Sequence, residues 1–155
     1  MSTYHFLLWR NSNKSVSFPQ DVIEKLVGKN LVIVPINIDN KHWIVAVLRI
    51  DQGEIDYYDS MNYKRSKEDT RILLDLMQIC LSLKKDHKTK PKVNDIIGPK
   101  QTDEGSCGVF SLLYSFNAAK RKDQKWNSTI IPVTRLEWAL KIIVSFIVLI
   151  SIIFQ

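Results

Sequence analysis

The chain is 155 residues long, carries 22 Lys and Arg against 16 Asp and Glu for a net charge of +6 at pH 7, and has two cysteines. That length suits one domain able to bury about two thirds of the surface its unfolded form exposes, and two cysteines are too few for a disulfide scaffold. The N-terminus lacks a basic start followed by a long apolar core, so no signal peptide is expected and both thiols are expected to be free in a reducing, intracellular compartment, nucleus or cytoplasm.

Taken in chain order, the first fifteen residues are weakly patterned apart from 6-FLLW-9, an N-terminal strand or loose arm. In 19-PQDVIEKLVGK-29 the opening Pro, Asp21 in the first turn, apolar positions 22, 23, 26 and 27 and the closing Gly28 predict a short amphipathic helix. Two β-branched runs, 31-LVIVPINI-38 and 43-WIVAVLRI-50, then predict strands buried on both faces, the first ending or bulging at Pro35. The pair Gln52-Gly53 is a turn signal, so 54-EIDYYDS-60 is expected to return as a hairpin partner. Apolar residues at 72, 73, 76, 77, 79, 80 and 83 predict a long helix over 66–83. A basic loop, a short strand over 92–97 and the breaker Gly98-Pro99 come next, before 107-CGVFSLLYSFNAA-119, which reads as a buried helix beginning at Cys107.

The order of helix, two or three strands, helix, strand, helix predicts an α+β domain with a mixed sheet. The basic runs 84-KKDHKTKPK-92 and 120-KRKDQK-125 carry Asp and flank apolar segments, and no nucleic-acid-binding signature accompanies them, so they are expected to be solvated loops and helix ends. Residues 1–135 are assigned to one domain and 136–155 to a C-terminal apolar helix. Thr134 and Glu137 have capping-box spacing and place its start near Arg135. The run 142-IIVSFIVLISIIF-154 is apolar on every side and is expected to be a core or interface helix, with a short membrane tail anchor as the alternative.

Chemistry gathers around 101-QTDEGSCGVF-110. A cysteine kept for packing belongs inside an apolar periodic segment, as Cys80 is; Cys107 stands instead at a loop-to-helix boundary. At a helix N-terminus the unpaired N–H groups and the dipole favour the thiolate, and Gly108 leaves room for a substrate backbone. Of three histidines, His5 lies in the unpatterned arm and His87 among lysines, whereas His42 stands immediately ahead of a buried strand and can project into a cleft as a base. If that strand pairs with 54–59 about Gln52-Gly53, Asp59 falls near His42 and Asp56 nearer the turn, which favours Asp59 as the group orienting the imidazole. The Gln101 amide is a candidate oxyanion donor.

These residues resemble the catalytic domain of the ubiquitin-like-protein proteases, the SUMO or sentrin proteases and their adenoviral relatives. The shared pattern is a His-Trp pair beside a hydrophobic strand, an Asp in a Tyr-Asp-Ser context 17 residues after the His, and a Gln 6 residues before a Cys-Gly. The resemblance covers about residues 31–119 and implies a papain-like cysteine protease fold of the SUMO-protease type, with a shortened N-terminal part. It implies Cys107 as nucleophile, His42 as general base, Asp59 as its acid and Gln101 as oxyanion donor, with Trp43 walling the tunnel for a Gly-Gly tail. Implied too are a ubiquitin-like modifier or its conjugates as partner and no metal or other cofactor. Ser106 departs from the family's usual Asp before the nucleophile and is expected to cap the helix instead. Two other readings are a modifier-binding module without activity and a polyprotein-processing protease of the same fold.

Overall fold

In the computed structural model, which describes residues 19–85, 88–122 and 125–141, a short helix α1 (Gln20–Leu26) leads into three antiparallel strands. These are β1 (Leu31–Ile38), β2 (His42–Arg49) and β3 (Glu54–Tyr58); helix α2 (Lys67–Leu83) then crosses over to β4 (Lys92–Asp95), which pairs with β3 in parallel. Helix α3 (Cys107–Ala119) follows, and a 3₁₀ turn at Ser128–Ile130 introduces a further helix, α4, over the described residues 131–141. The strand order is β1-β2-β3-β4. This is the mixed, helix-flanked α+β sheet expected.

The sheet is covered on both faces, which is why β2 reads as a continuous apolar run. Alternate residues of β2 go to opposite sides: Ile44, Ala46 and Leu48 join Ile72, Leu73, Leu76, Met77, Cys80 and Leu81 of α2, while Val45 and Val47 meet Phe110, Leu113, Tyr114 and Ala118 of α3. The α2 positions fall on one helical stripe, and the helix starts where Ser66 accepts a hydrogen bond from the Asp69 N–H at 2.9 Å. The β2–β3 hairpin turns through Ile50–Gln52 and Gly53, whose φ of 65° suits glycine, so the turn is longer than a Gln52-Gly53 pair.

Several expectations change. Among the described residues β1 is an edge strand with only Val34 and Ile36 buried, not a strand buried on both faces, and it neither ends nor bulges at Pro35: Pro35 pairs opposite Val45 within an unbroken ladder. An edge tolerates proline because its missing N–H can face outward. The α3 helix is also less buried than its composition suggests, since Leu112 and Phe116 are 57% and 45% exposed. Helix α4 begins at residue 131, after a turn whose Asn127 side chain accepts from the Thr129 N–H, and buried Thr134 lies inside it, so Thr134 and Glu137 do not form a capping box. The N-terminal stretch expected as a strand or loose arm, His5, His87 and the apolar run 142–154 lie outside the described residues. Among the described residues no helix is long and apolar enough to cross a membrane.

Candidate active site

The β1–β2 hairpin fixes His42. Asp39 and Asn40 both take left-handed conformations, the Lys41 N–H donates to the Ile38 carbonyl at 2.9 Å, and His42 emerges as the first residue of β2, paired with Ile38. On the other side β3 carries the chain to Asp59, since Val45 opposes Tyr58. The two side chains meet: His42 Nε2 lies 2.7 Å from Asp59 Oδ1, with 11% and 6% of the side chains exposed. Asp59 is held in turn by two backbone donors, Met61 N–H to Oδ1 at 2.8 Å and Tyr63 N–H to Oδ2 at 3.2 Å. The Tyr63 ring meets the imidazole edge-on at 5.6 Å. Asp56, as expected, sits nearer the turn and pairs with Arg49 at 2.9 Å.

A carboxylate can only accept here, so Nε2 carries the proton and Nδ1 is the free base nitrogen. That Nδ1 is buried and has no hydrogen-bond partner. No hydrogen bond therefore joins it to the Cys107 thiol, and bonds of this kind commonly tighten only when substrate is present.

Cys107 opens α3, as the sequence predicts, and is buried at 6% exposure. The helix start packs against the residue following His42. A Cβ placed on Gly108 would meet the Trp43 ring at 3.6 Å, and Ser111 Oγ donates to the Trp43 carbonyl at 3.0 Å. Ser106 does not cap α3: its hydroxyl donates to Asp103 Oδ2 at 2.5 Å and accepts from Arg135 Nη2 at 3.0 Å. No side chain of the preceding residue thus occupies the first-turn N–H groups beside the nucleophile candidate.

Gln101 reaches the site through β4 and an extended passage over Tyr58. Gly98 permits that approach, because a Cβ there would come within 2.7 Å of the Tyr58 ring, and the Tyr58 hydroxyl donates to the Pro99 carbonyl. The Gln101 N–H then donates to the Ser60 carbonyl at 3.1 Å, setting it one residue from Asp59. Its side chain is oriented as well: Oε1 accepts from Ser60 Oγ at 2.6 Å, and Nε2 donates one hydrogen to the Asp103 carbonyl at 2.6 Å, which leaves the second amide hydrogen uncommitted by these bonds. Sequence reasoning missed Ser60, Tyr63, Asp103 and Arg135. The Asp-x-Gly-Ser spacing of a side-chain-capped turn was the available signal for Asp103, and none existed for Arg135.

Cys80 and Cys107 are both free, and their surroundings separate them. Burial between α2 and the sheet pushes the Cys80 thiol up to about 11, so it stays protonated and inert at neutral pH. Iodoacetamide at pH 7 is expected to label the native protein once, at Cys107, and Cys80 only after unfolding; peptide mass mapping checks this, and early labelling of Cys80 would contradict it.

A family model described as the Ulp1 protease family, C-terminal catalytic domain, matches residues 13–144. Among solved structures, the SUMO protease Ulp1 with its catalytic cysteine oxidized to a sulfenic acid is similar at 18% identity and a TM-score of 0.59, covering 68% of this chain and 49% of that one. The C-terminal Ulp1 protease domain in complex with Smt3, the yeast ortholog of SUMO, gives 14% and 0.60, covering 86% and 69%. The catalytic domain of the Chaetomium thermophilum Ulp1-like SUMO protease gives 26% and 0.59, covering 70% and 44%. The chain thus spans about half the length of the first of these structures. A comparison with curated proteins found no match.

Proposed function

We propose that this chain, which belongs to the Ulp1 protease family, is a cysteine peptidase that hydrolyses the bond after the C-terminal Gly-Gly of a SUMO-type modifier, either maturing its precursor or releasing it from a lysine side chain. The observation that carries the reading is the buried His42–Asp59 pair, whose bond at Nε2 leaves Nδ1 as an unpartnered base.

In this reading the Cys107 sulfur adds to the glycine carbonyl carbon as its proton passes to His42 Nδ1. The oxyanion is met by the Cys107 N–H and the uncommitted Gln101 amide hydrogen. Collapse breaks the C–N bond, and His42 returns the proton to the departing amine. Water, deprotonated by the same nitrogen, then cleaves the thioester to a carboxylate and the free thiol. Asp59 keeps the ring in the required tautomer and balances the imidazolium that forms. Trp43 and Gly108 are assigned to the slot that receives the glycine tail, where a larger residue at 108 would close the space against the indole.

The test is a panel of SUMO, ubiquitin and Gly-rich peptides, each ending in an electrophilic trap, incubated with the full chain. One covalent adduct per chain with SUMO, mapped to Cys107, is the expected result. Absence of any adduct would favour a binding module without activity, and preferential capture of the Gly-rich peptides would favour a polyprotein-processing enzyme.

A further inference from the structure

The loop before Cys107 is held from two directions. Inside it, Asp103 Oδ1 accepts from the Gly105 N–H at 2.9 Å and from the Ser106 N–H at 2.7 Å, and Oδ2 takes the Ser106 hydroxyl. From outside, Arg135 on α4 donates through Nη2 to the Gly105 carbonyl at 2.9 Å and to Ser106 Oγ at 3.0 Å. The Gly105 carbonyl and the Ser106 N–H are the two ends of one peptide group. Asp103 grips one end and Arg135 the other. The next peptide group is fixed as well, because the Ser106 carbonyl accepts the Phe110 N–H at 3.0 Å and so sets the direction of the Cys107 N–H.

Glycine is the residue at which a peptide plane rotates most freely, and Gly105 has no neighbour within 4 Å of where a Cβ would stand, so side-chain packing does nothing to stop that rotation. Arg135 is carried on a helix anchored by buried Ile131 and Thr134, with Trp138 packed on the α3 cluster. Its position is therefore set by the core and not by the loop it holds.

The geometry points to Arg135 as a positioning residue for the nucleophile: the C-terminal helix locks the Gly105–Ser106 peptide plane and, through it, the orientation of the Cys107 N–H and sulfur. This rests on Cys107 being the nucleophile, as proposed above. The same Asp103 carries the bond from Gln101 Nε2 on its carbonyl, so the clamp reaches the oxyanion side through one residue. The Arg135 guanidinium is among the groups that hold the Asp103 carboxyl below its usual range, after its bond to Ser106 and the two backbone donors.

With SUMO carrying aminomethylcoumarin on its C-terminal glycine, Arg135→Met in the full chain is expected to lower kcat about tenfold at little change in KM, the scale on which small misplacements of reacting groups act. Arg135→Lys, which keeps a donor and the charge, is expected to recover most of it. The decisive variant is Gly105→Ala. The space for its methyl is open, so alone it should be nearly neutral, but in the Arg135→Met background the stiffer backbone should recover about threefold in kcat. A kcat for Arg135→Met within about twofold of wild type would overturn the proposal. So would a loss that follows a fall in Tm and is not recovered by Gly105→Ala, since the arginine would then serve only to dock the helix. If the wild type turns over no modifier at all, the peptidase reading fails on its own account. The iodoacetamide rate at Cys107 still judges the clamp: slower alkylation in Arg135→Met, recovered by Gly105→Ala, sustains it, and equal rates in all three proteins reject it.

Discussion

Cys107→Ala is expected to abolish hydrolysis of SUMO–aminomethylcoumarin, a fall of at least ~10⁴-fold to the level of buffer, while leaving the affinity for SUMO within about threefold of wild type. The reason is local. The thiol is the group that forms the covalent intermediate, and neither His42 nor Asp59 supplies a substitute nucleophile at the carbonyl. The side chain is small and 6% exposed, so truncation to alanine leaves a void of one sulfur atom and no exposed apolar surface. Fluorogenic kinetics with titration calorimetry check both halves. Residual turnover above about one percent of wild type would remove Cys107 from the mechanism.

Asp59→Asn is expected to lower kcat/KM by ~10³–10⁴-fold, nearly as much as loss of the base itself. The substitution is isosteric, but it reverses a hydrogen bond. An amide nitrogen placed toward His42 donates to Nε2, which forces the proton onto Nδ1, and that nitrogen can then no longer take one from the thiol. Turning the amide over restores the acceptor at Nε2 but points the NH₂ at the Tyr63 N–H, a donor facing a donor where the carboxylate accepts at 3.2 Å. Asparagine satisfies neither arrangement; aspartate satisfies His42, Met61 and Tyr63 together. Steady-state kinetics measure the loss, and a drop of less than tenfold would show that the carboxylate does not set the tautomer.

Much of this was legible in the sequence, for identifiable reasons. The α2 helix announced itself because Ile72, Leu73, Leu76, Met77 and Cys80 recur at helical spacing on a face that the sheet buries. The approach of Asp59 to His42 followed from one hairpin, and hairpin register is a local property. The features that were misjudged share a different cause. Ser106 was expected to cap α3, yet its hydroxyl is taken by Asp103 and Arg135, and the arginine lies 29 residues along the chain. Pro35 was expected to stop or bulge β1, because nothing in 31-LVIVPINI-38 says that, among the described residues, the strand stands at the rim of the sheet. Thr134 has the spacing of a cap, but the turn begun by Asn127 had already started the helix. In each case a tertiary partner decided between local options that the sequence alone left nearly equal in free energy.

The proline of β1 has a consequence for how these molecules behave toward one another. An outermost strand is a template that a second molecule can lengthen by matching donor to acceptor in unbroken succession. In β1 that succession fails at Pro35, midway along the eight residues, and the left-handed bend at Asp39 and Asn40 turns the chain away at the far end. Among the described residues β1 borders the sheet, so the residue that makes the strand look weak also removes a docking point that a second molecule would need to lengthen the sheet there.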